Sequence, residues 1–96
     1  MQLASGWFCP DRCLLWFTAE WCQPCKAVGP ALGAAASELG LPVIVIDIAD
    51  RSEVAQAFHV RSVPTVVGIR DGTVVGALTG AQGQATYATL CREVAG

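Results

Sequence analysis

The chain has 96 residues, 53% of them hydrophobic, which is enough for one domain with its own core and too little for two. A formal charge of -2, with 15% charged residues and no block of like charge, leaves neither a basic stripe for nucleic acid nor an interaction tail. No apolar run approaches the roughly 18 residues of a membrane span. Met1-Gln2-Leu3-Ala4-Ser5-Gly6 also lacks the basic and apolar regions of a signal peptide, so a soluble, cytoplasmic protein without a membrane or nucleic-acid partner is expected.

Residues 1–13 form a short N-terminal segment that carries Cys9 and Cys13. Leu14-Leu15-Trp16-Phe17 reads as a buried strand, and Val28, Leu32, Ala35 and Leu39 follow it at helical spacing. Gly40 stops that helix and Pro42 starts an extended stretch. Val43-Ile44-Val45-Ile46-Asp47-Ile48 is nearly continuously apolar and β-branched, which suits a central or parallel strand covered on both faces. Asp50-Arg51-Ser52-Glu53 has capping-box spacing for a brief second helix, with Val54, Ala57 and Phe58 as its apolar face.

Asp71-Gly72 then joins two β-rich runs, Thr65-Val66-Val67-Gly68-Ile69-Arg70 and Thr73-Val74-Val75-Gly76-Ala77-Leu78, as a two-residue hairpin. Tyr87, Leu90, Cys91 and Val94 supply the stripe of a last helix. The order β-α-β-α-β-β-α predicts an α/β fold with a central mixed sheet of about four strands and helices on both faces.

Chemistry concentrates in Trp21-Cys22-Gln23-Pro24-Cys25-Lys26, where two thiols two residues apart lie between a strand and a helix. Cys22 falls at or just before the helix N-terminus, where unpaired N–H groups and the helix dipole favour a thiolate over a thiol. A free thiol ionises near about 8.5, and thiols in such settings fall to roughly 3.5–7.5. Pro24 suits the first helical position, and Cys25, one turn in, is placed to resolve a mixed disulfide formed at Cys22.

Five cysteines, an odd number, fit a disulfide framework badly, so redox or metal chemistry is expected instead. Cys9 and Cys13 could form an auxiliary disulfide, join a metal site or pack; packing is the expectation. Cys91 reads as a small buried hydrophobe, His59 as a solvated surface residue, and Trp7 and Trp16 as packing residues.

Phe17, Ala19, Glu20, Trp21, Cys22, Pro24, Cys25 and Lys26 together resemble the active-site segment of the thioredoxin family. Pro30 is similar to that family's helix-kinking proline, and Val63-Pro64-Thr65, flanked by Arg61, to its cis-proline loop. Gly80 is similar to the glycine bordering its substrate groove. The likeness runs from about Leu14 to Val94. It implies a thioredoxin-like fold and a protein-disulfide reductase with Cys22 and Cys25 as catalytic residues.

The same resemblance implies a substrate surface of Trp21, Val63, Pro64, Thr65 and Gly80; Pro24 and Lys26, with Gln23 and Trp16 where the chain departs from the family, are expected to tune the dithiol. It implies no bound cofactor or metal. The partners would be disulfide-containing protein substrates and a thioredoxin-reductase-like electron donor. Two other functions share these residues: a non-catalytic thioredoxin-like binding module, and a metal-binding protein using Cys9, Cys13, Cys22 and Cys25.

Two departures from the family matter. Its buried aspartate and the lysine paired with it are replaced by Trp16 and Val45, so Cys25 must lose its proton to water, Glu20, Asp47 or the departing substrate thiolate. The N-terminal segment is also shortened, which leaves the Val43-to-Ile48 strand without its usual neighbour. A monomer or weak dimer is therefore expected.

Overall fold

The structure, a computed structural model, describes residues 11–96 and, as backbone, Gln2–Ala4 and Trp7–Phe8. These two short strands, β1 (Gln2–Ala4) and β2 (Trp7–Phe8), pair antiparallel in a sheet of their own. The chain continues through β3 (Arg12–Thr18), α1 (Cys25–Glu38), β4 (Val43–Asp47) and α2 (Ser52–Ala57). It closes with β5 (Thr65–Arg70), β6 (Thr73–Thr79) and α3 (Gln84–Ala95). From β3 onward the order is the predicted one, with β3 reaching back to Arg12, inside the segment 1–13.

The main sheet has the strand order β4-β3-β5-β6. Helix α1 makes the crossover that parallel strands require, so β3 and β4 run parallel with Leu14 opposite Val43 and Trp16 opposite Val45. β5 is antiparallel to β3, and β6 returns beside it through Asp71 and Gly72. Those two residues have φ of 53° and 77°, the positive values a two-residue hairpin needs.

Alternation along the strands sends the core to two faces. Leu14 and Val66 meet Val28 and Leu32 of α1 and Tyr87, Leu90, Cys91 and Val94 of α3. Leu15, Phe17, Ile46, Val67 and Ile69 meet Val54 and Ala55 of α2 on the other side, where the rings of Phe17 and Phe58 lie 5.9 Å apart. Each fully buried Leu, Val or Phe contributes roughly 1.5–3 kcal/mol of transfer free energy. Gly68 of β5 sits directly under α3: a Cβ there would stand 2.7 Å from Val94 Cγ2 and 2.9 Å from Leu90 Cδ1.

Four local expectations need correction. β4 is parallel but lies at the sheet edge and is incompletely covered, with Val45 56% exposed. Its β-branched run reports strand propensity, not the number of neighbours. Leu39 is the C-cap of α1 and exposed, while Ala36 takes the core position, because the helix ends and Gly40 turns the chain at φ 64°.

The cap of α2 is Arg51, without a side-chain bond, and its buried residues are Val54 and Ala55 instead of Ala57. Phe58 is only partly buried. The nearby side-chain bond to backbone comes from Asp47, whose Oδ1 accepts the Ala49 N–H at 2.8 Å. Finally, Pro24 caps α1 and Cys25 is its first residue, one position later than expected. Among the described residues no helix is long and apolar enough to cross a membrane.

Candidate redox site

Strand β3 ends at Thr18, and the chain must reverse before α1 starts on the same face. The turn is held by the Cys22 N–H donating to Ala19 O at 3.1 Å and the Lys26 N–H donating to Gln23 O at 3.1 Å. This brings Cys22 back over the head of α1, where it forms a disulfide with Cys25 across a Cα separation of 5.4 Å. The Cys25 backbone N–H, one of the unpaired donors of the helix start, donates to Cys22 Sγ at 3.2 Å. An N–H aimed at a sulfur from a helix terminus favours that sulfur as the anion once the bond is reduced.

Both sulfur residues are 4% exposed, packed with Ala19 and bordered by Trp16, Ile48 and Val63. Around this apolar seat, Glu20, Gln23, Pro24 and Lys26 are exposed, and Trp21 stands 72% exposed at the rim. A depression of about 180 Å³ beside Trp21 is lined by Glu20, Asp47, Ala49 and Asp50. A larger groove of about 510 Å³ between β6 and α3 shares no residue with the dithiol.

The loop before β5 supplies the other side of the site. The Val63–Pro64 bond is cis, Pro64 is fully buried, and Val63 borders the dithiol cluster. Thr65, 7% exposed, donates its hydroxyl to Ser62 O at 2.8 Å. Gly80, at φ 83°, donates its N–H to Pro64 O at 2.9 Å, which places the end of β6 against the proline loop. The fold thus gathers Cys22, Cys25 and Val63 into one cluster and ties Gly80 to Pro64.

Other candidates fall elsewhere. Cys13 is fully buried on the α2 face with Leu15, Phe17 and Ile69, and it is disulfide-bonded, so packing alone does not describe it. Cys9 and Trp7 lie outside the residues whose side chains are described. Cys13 is at the start of β3, whereas the dithiol follows its end, so the two are not brought together. Among the described residues no group of three or more His, Cys, Asp or Glu side chains is placed to hold a metal.

Cys91 is buried and free, its thiol pushed up by burial against a smaller lowering by Arg92. His59 is exposed just past the end of α2, at φ 57°. Asp47 is half-buried and Glu20 exposed, and among the described residues no carboxylate is fully buried. Sequence reasoning missed Ile48, just past the end of β4, as a wall of the dithiol. It also missed the state of Trp16 Nε1, which is buried with no hydrogen-bond partner.

This geometry can accept or deliver two electrons through one S–S bond. The thioredoxin family model matches residues 9–93. A thioredoxin of Mycobacterium bovis is 40% identical over 80 residues, covering 81% of this chain and 66% of the relative, so the chain spans just under two thirds of that protein. A bifunctional thioredoxin reductase/thioredoxin of Mycobacterium leprae is 41% identical over 71 residues, covering 72% of this chain and 16% of that one. Among solved structures, a point-mutant thioredoxin of Halobacterium salinarum superposes with a TM-score of 0.82 at 31% identity, covering 90% of this chain and 76% of that one. The agreement of sequence, fold and dithiol geometry leads to one conclusion: the chain belongs to the thioredoxin family.

Proposed function

We propose that this protein is a thiol–disulfide oxidoreductase that reduces disulfides in protein substrates. The observation that carries the reading is the Cys22–Cys25 disulfide at the head of α1, with the Cys25 N–H on Cys22 Sγ. In the reduced protein, the Cys22 thiolate attacks a substrate disulfide; a Cys22–substrate bond forms and one substrate thiolate leaves. Cys25, deprotonated, then attacks Cys22 Sγ, the mixed disulfide breaks, and the second substrate thiolate departs with the electron pair. Two electrons pass to the substrate, and water protonates its thiolates.

Trp21 and the Val63–Pro64–Thr65 loop, with Gly80, form the surface that receives the substrate chain. Pro64 has no N–H, so its loop leaves neighbouring backbone groups to an extended segment. Gln23, Pro24 and Lys26 tune the dithiol from its exposed side. Reducing equivalents come from a thioredoxin-reductase-like flavoenzyme, a reading supported by the Mycobacterium leprae relative that unites both names in one chain. A reducing compartment, the cytoplasm, suits this direction. The 96 residues act as a single domain, as a monomer or weak dimer.

Insulin-disulfide reduction with dithiothreitol tests the proposal. Turnover by the native protein and its loss in Cys22→Ser are expected. No turnover above the dithiothreitol background would sink the enzyme reading in favour of a binding module.

A further inference from the structure

Among the described residues, Trp16 Nε1 is the one buried side-chain nitrogen or oxygen without a hydrogen-bond partner. Such orphans are rare in native folds, and a redox or catalytic role is one of the few reasons they persist. This one belongs to a ring packed against Ala19, Cys22 and Cys25. The far edge of the indole, Cη2, lies 3.5 Å from where a Cβ on Gly29 would stand. Gly29 is four residues after Cys25 in α1, so both present the same helix face to β3 and the indole lies along the stripe that Cys25 begins.

The acceptor changes with redox state. A disulfide sulfur accepts hydrogen bonds weakly, whereas a thiolate is a charged and strong acceptor. Cys22 Sγ already takes the Cys25 backbone N–H, and among the described residues no donor is assigned to Cys25 Sγ.

We propose that the Trp16 indole N–H is a redox-gated donor: unpaired beside the intact disulfide, it hydrogen-bonds Cys25 Sγ after reduction and stabilises the resolving thiolate. The inference rests on the oxidoreductase reading above. Reduction by dithiothreitol or a substrate dithiol adds two electrons, breaks the Cys22–Cys25 bond and frees both sulfurs. Trp16 then donates a hydrogen bond to Cys25 Sγ without giving up its proton. Cys25 keeps its own proton while Cys22 is the thiolate and passes it to water once Cys22 is held in the mixed disulfide. When Cys25 attacks the mixed disulfide, the Cys22–Cys25 bond re-forms, the electron pair leaves on the substrate thiolate, and the indole N–H is released again. A donor in the ring packed against the dithiol cluster thereby stabilises the resolving thiolate where, among the described residues, no carboxylate is fully buried to act as base.

The test follows the Trp16 indole ¹H–¹⁵N signal of the full chain in the oxidised and dithiothreitol-reduced states, assigned by its contacts in the native protein. Reduction should move it downfield more than the Trp7 and Trp21 signals. In Cys25→Ala it should remain near its oxidised position.

Trp16→Phe, which keeps an aromatic ring and removes the donor, should shift the dithiol–disulfide equilibrium about tenfold toward the disulfide, about 30 mV to a more negative potential. A Trp16 signal that does not move on reduction overturns the inference, even if Trp16→Phe fails to fold. An unchanged potential in a folded Trp16→Phe overturns it as well. A stationary signal in a protein that still reduces insulin sinks this inference alone, whereas an inactive native protein sinks the reading beneath it.

Discussion

The Cys25 backbone N–H donates to Cys22 Sγ across 3.2 Å, so the first residue of α1 is tied to the sulfur three positions before it. The bond makes the two cysteines unequal: Cys22 gains a fixed donor from the helix start, and Cys25 supplies it.

That inequality predicts different behaviour for the two serine variants. Cys25→Ser should form a stable mixed disulfide with a disulfide-bearing protein, visible as a thiol-sensitive adduct on a non-reducing gel. Cys22→Ser should form little adduct, and both should lose insulin reduction to the dithiothreitol background. Equal trapping by the two variants would contradict the assignment of attacking and resolving sulfurs.

The closeness of α3 to β5 predicts the effect of a single methyl group. Gly68→Ala places a Cβ 2.7 Å from Val94 Cγ2 and 2.9 Å from Leu90 Cδ1, closer than carbon atoms pack, so these side chains or α3 itself must shift. We expect a loss of about 1–3 kcal/mol, seen as a lower urea midpoint with an unchanged slope. An unaltered midpoint would mean that α3 can shift away from the sheet without penalty.

Cys91 predicts a limb in the alkaline stability profile. Burial pushes its thiol up, Arg92 offsets this in part, and the native state keeps a proton that the unfolded chain releases first. The resulting stability is fully present below the unfolded thiol pKa of about 8.5 and is lost as pH rises through it toward the raised native value. With Cys22 and Cys25 kept oxidised, urea unfolding between about pH 7 and pH 10 should show a shallower decline in Cys91→Ala than in the native protein. The comparison is one of slope, since Cys91→Ala also leaves a small cavity.

The β4 edge predicts weak self-association. Pro42 O accepts the Leu14 N–H and the Ile48 N–H donates to Thr18 O, so the backbone groups of Val43, Val45 and Asp47 point away from β3. With Val45 56% exposed, this edge is apolar and free of proline and lysine. Light scattering over a concentration series should show the mass rising at high concentration, and Val45→Lys should suppress the rise. A concentration-independent monomer mass in the native protein would count against it.

Much of this molecule is legible along the chain because its signals are local. Tyr87, Leu90, Cys91 and Val94 read as one helical stripe, and all four are buried in α3. Asp71-Gly72 predicts a hairpin because only residues that tolerate positive φ can close it, and both have that geometry. The spacing of Cys22 and Cys25 marks a unit able to exchange two electrons. Each of these rests on residues within a turn or two of one another.

Tertiary structure decided the rest. Whether Val43–Asp47 is covered depends on which strands lie beside it, and neither its composition nor its period carries that information. The meeting of Val63 with the dithiol, and of Gly80 with Pro64, joins segments far apart in sequence through the register of β3, β5 and β6. Trp16 reads as packing in the sequence, and it does pack; that its Nε1 is buried without a partner, in a ring packed against the dithiol cluster, is visible only in the fold. Periodicity and turn chemistry are set by near neighbours, whereas burial, edge position and hydrogen-bond satisfaction are set by contacts between distant parts of the chain.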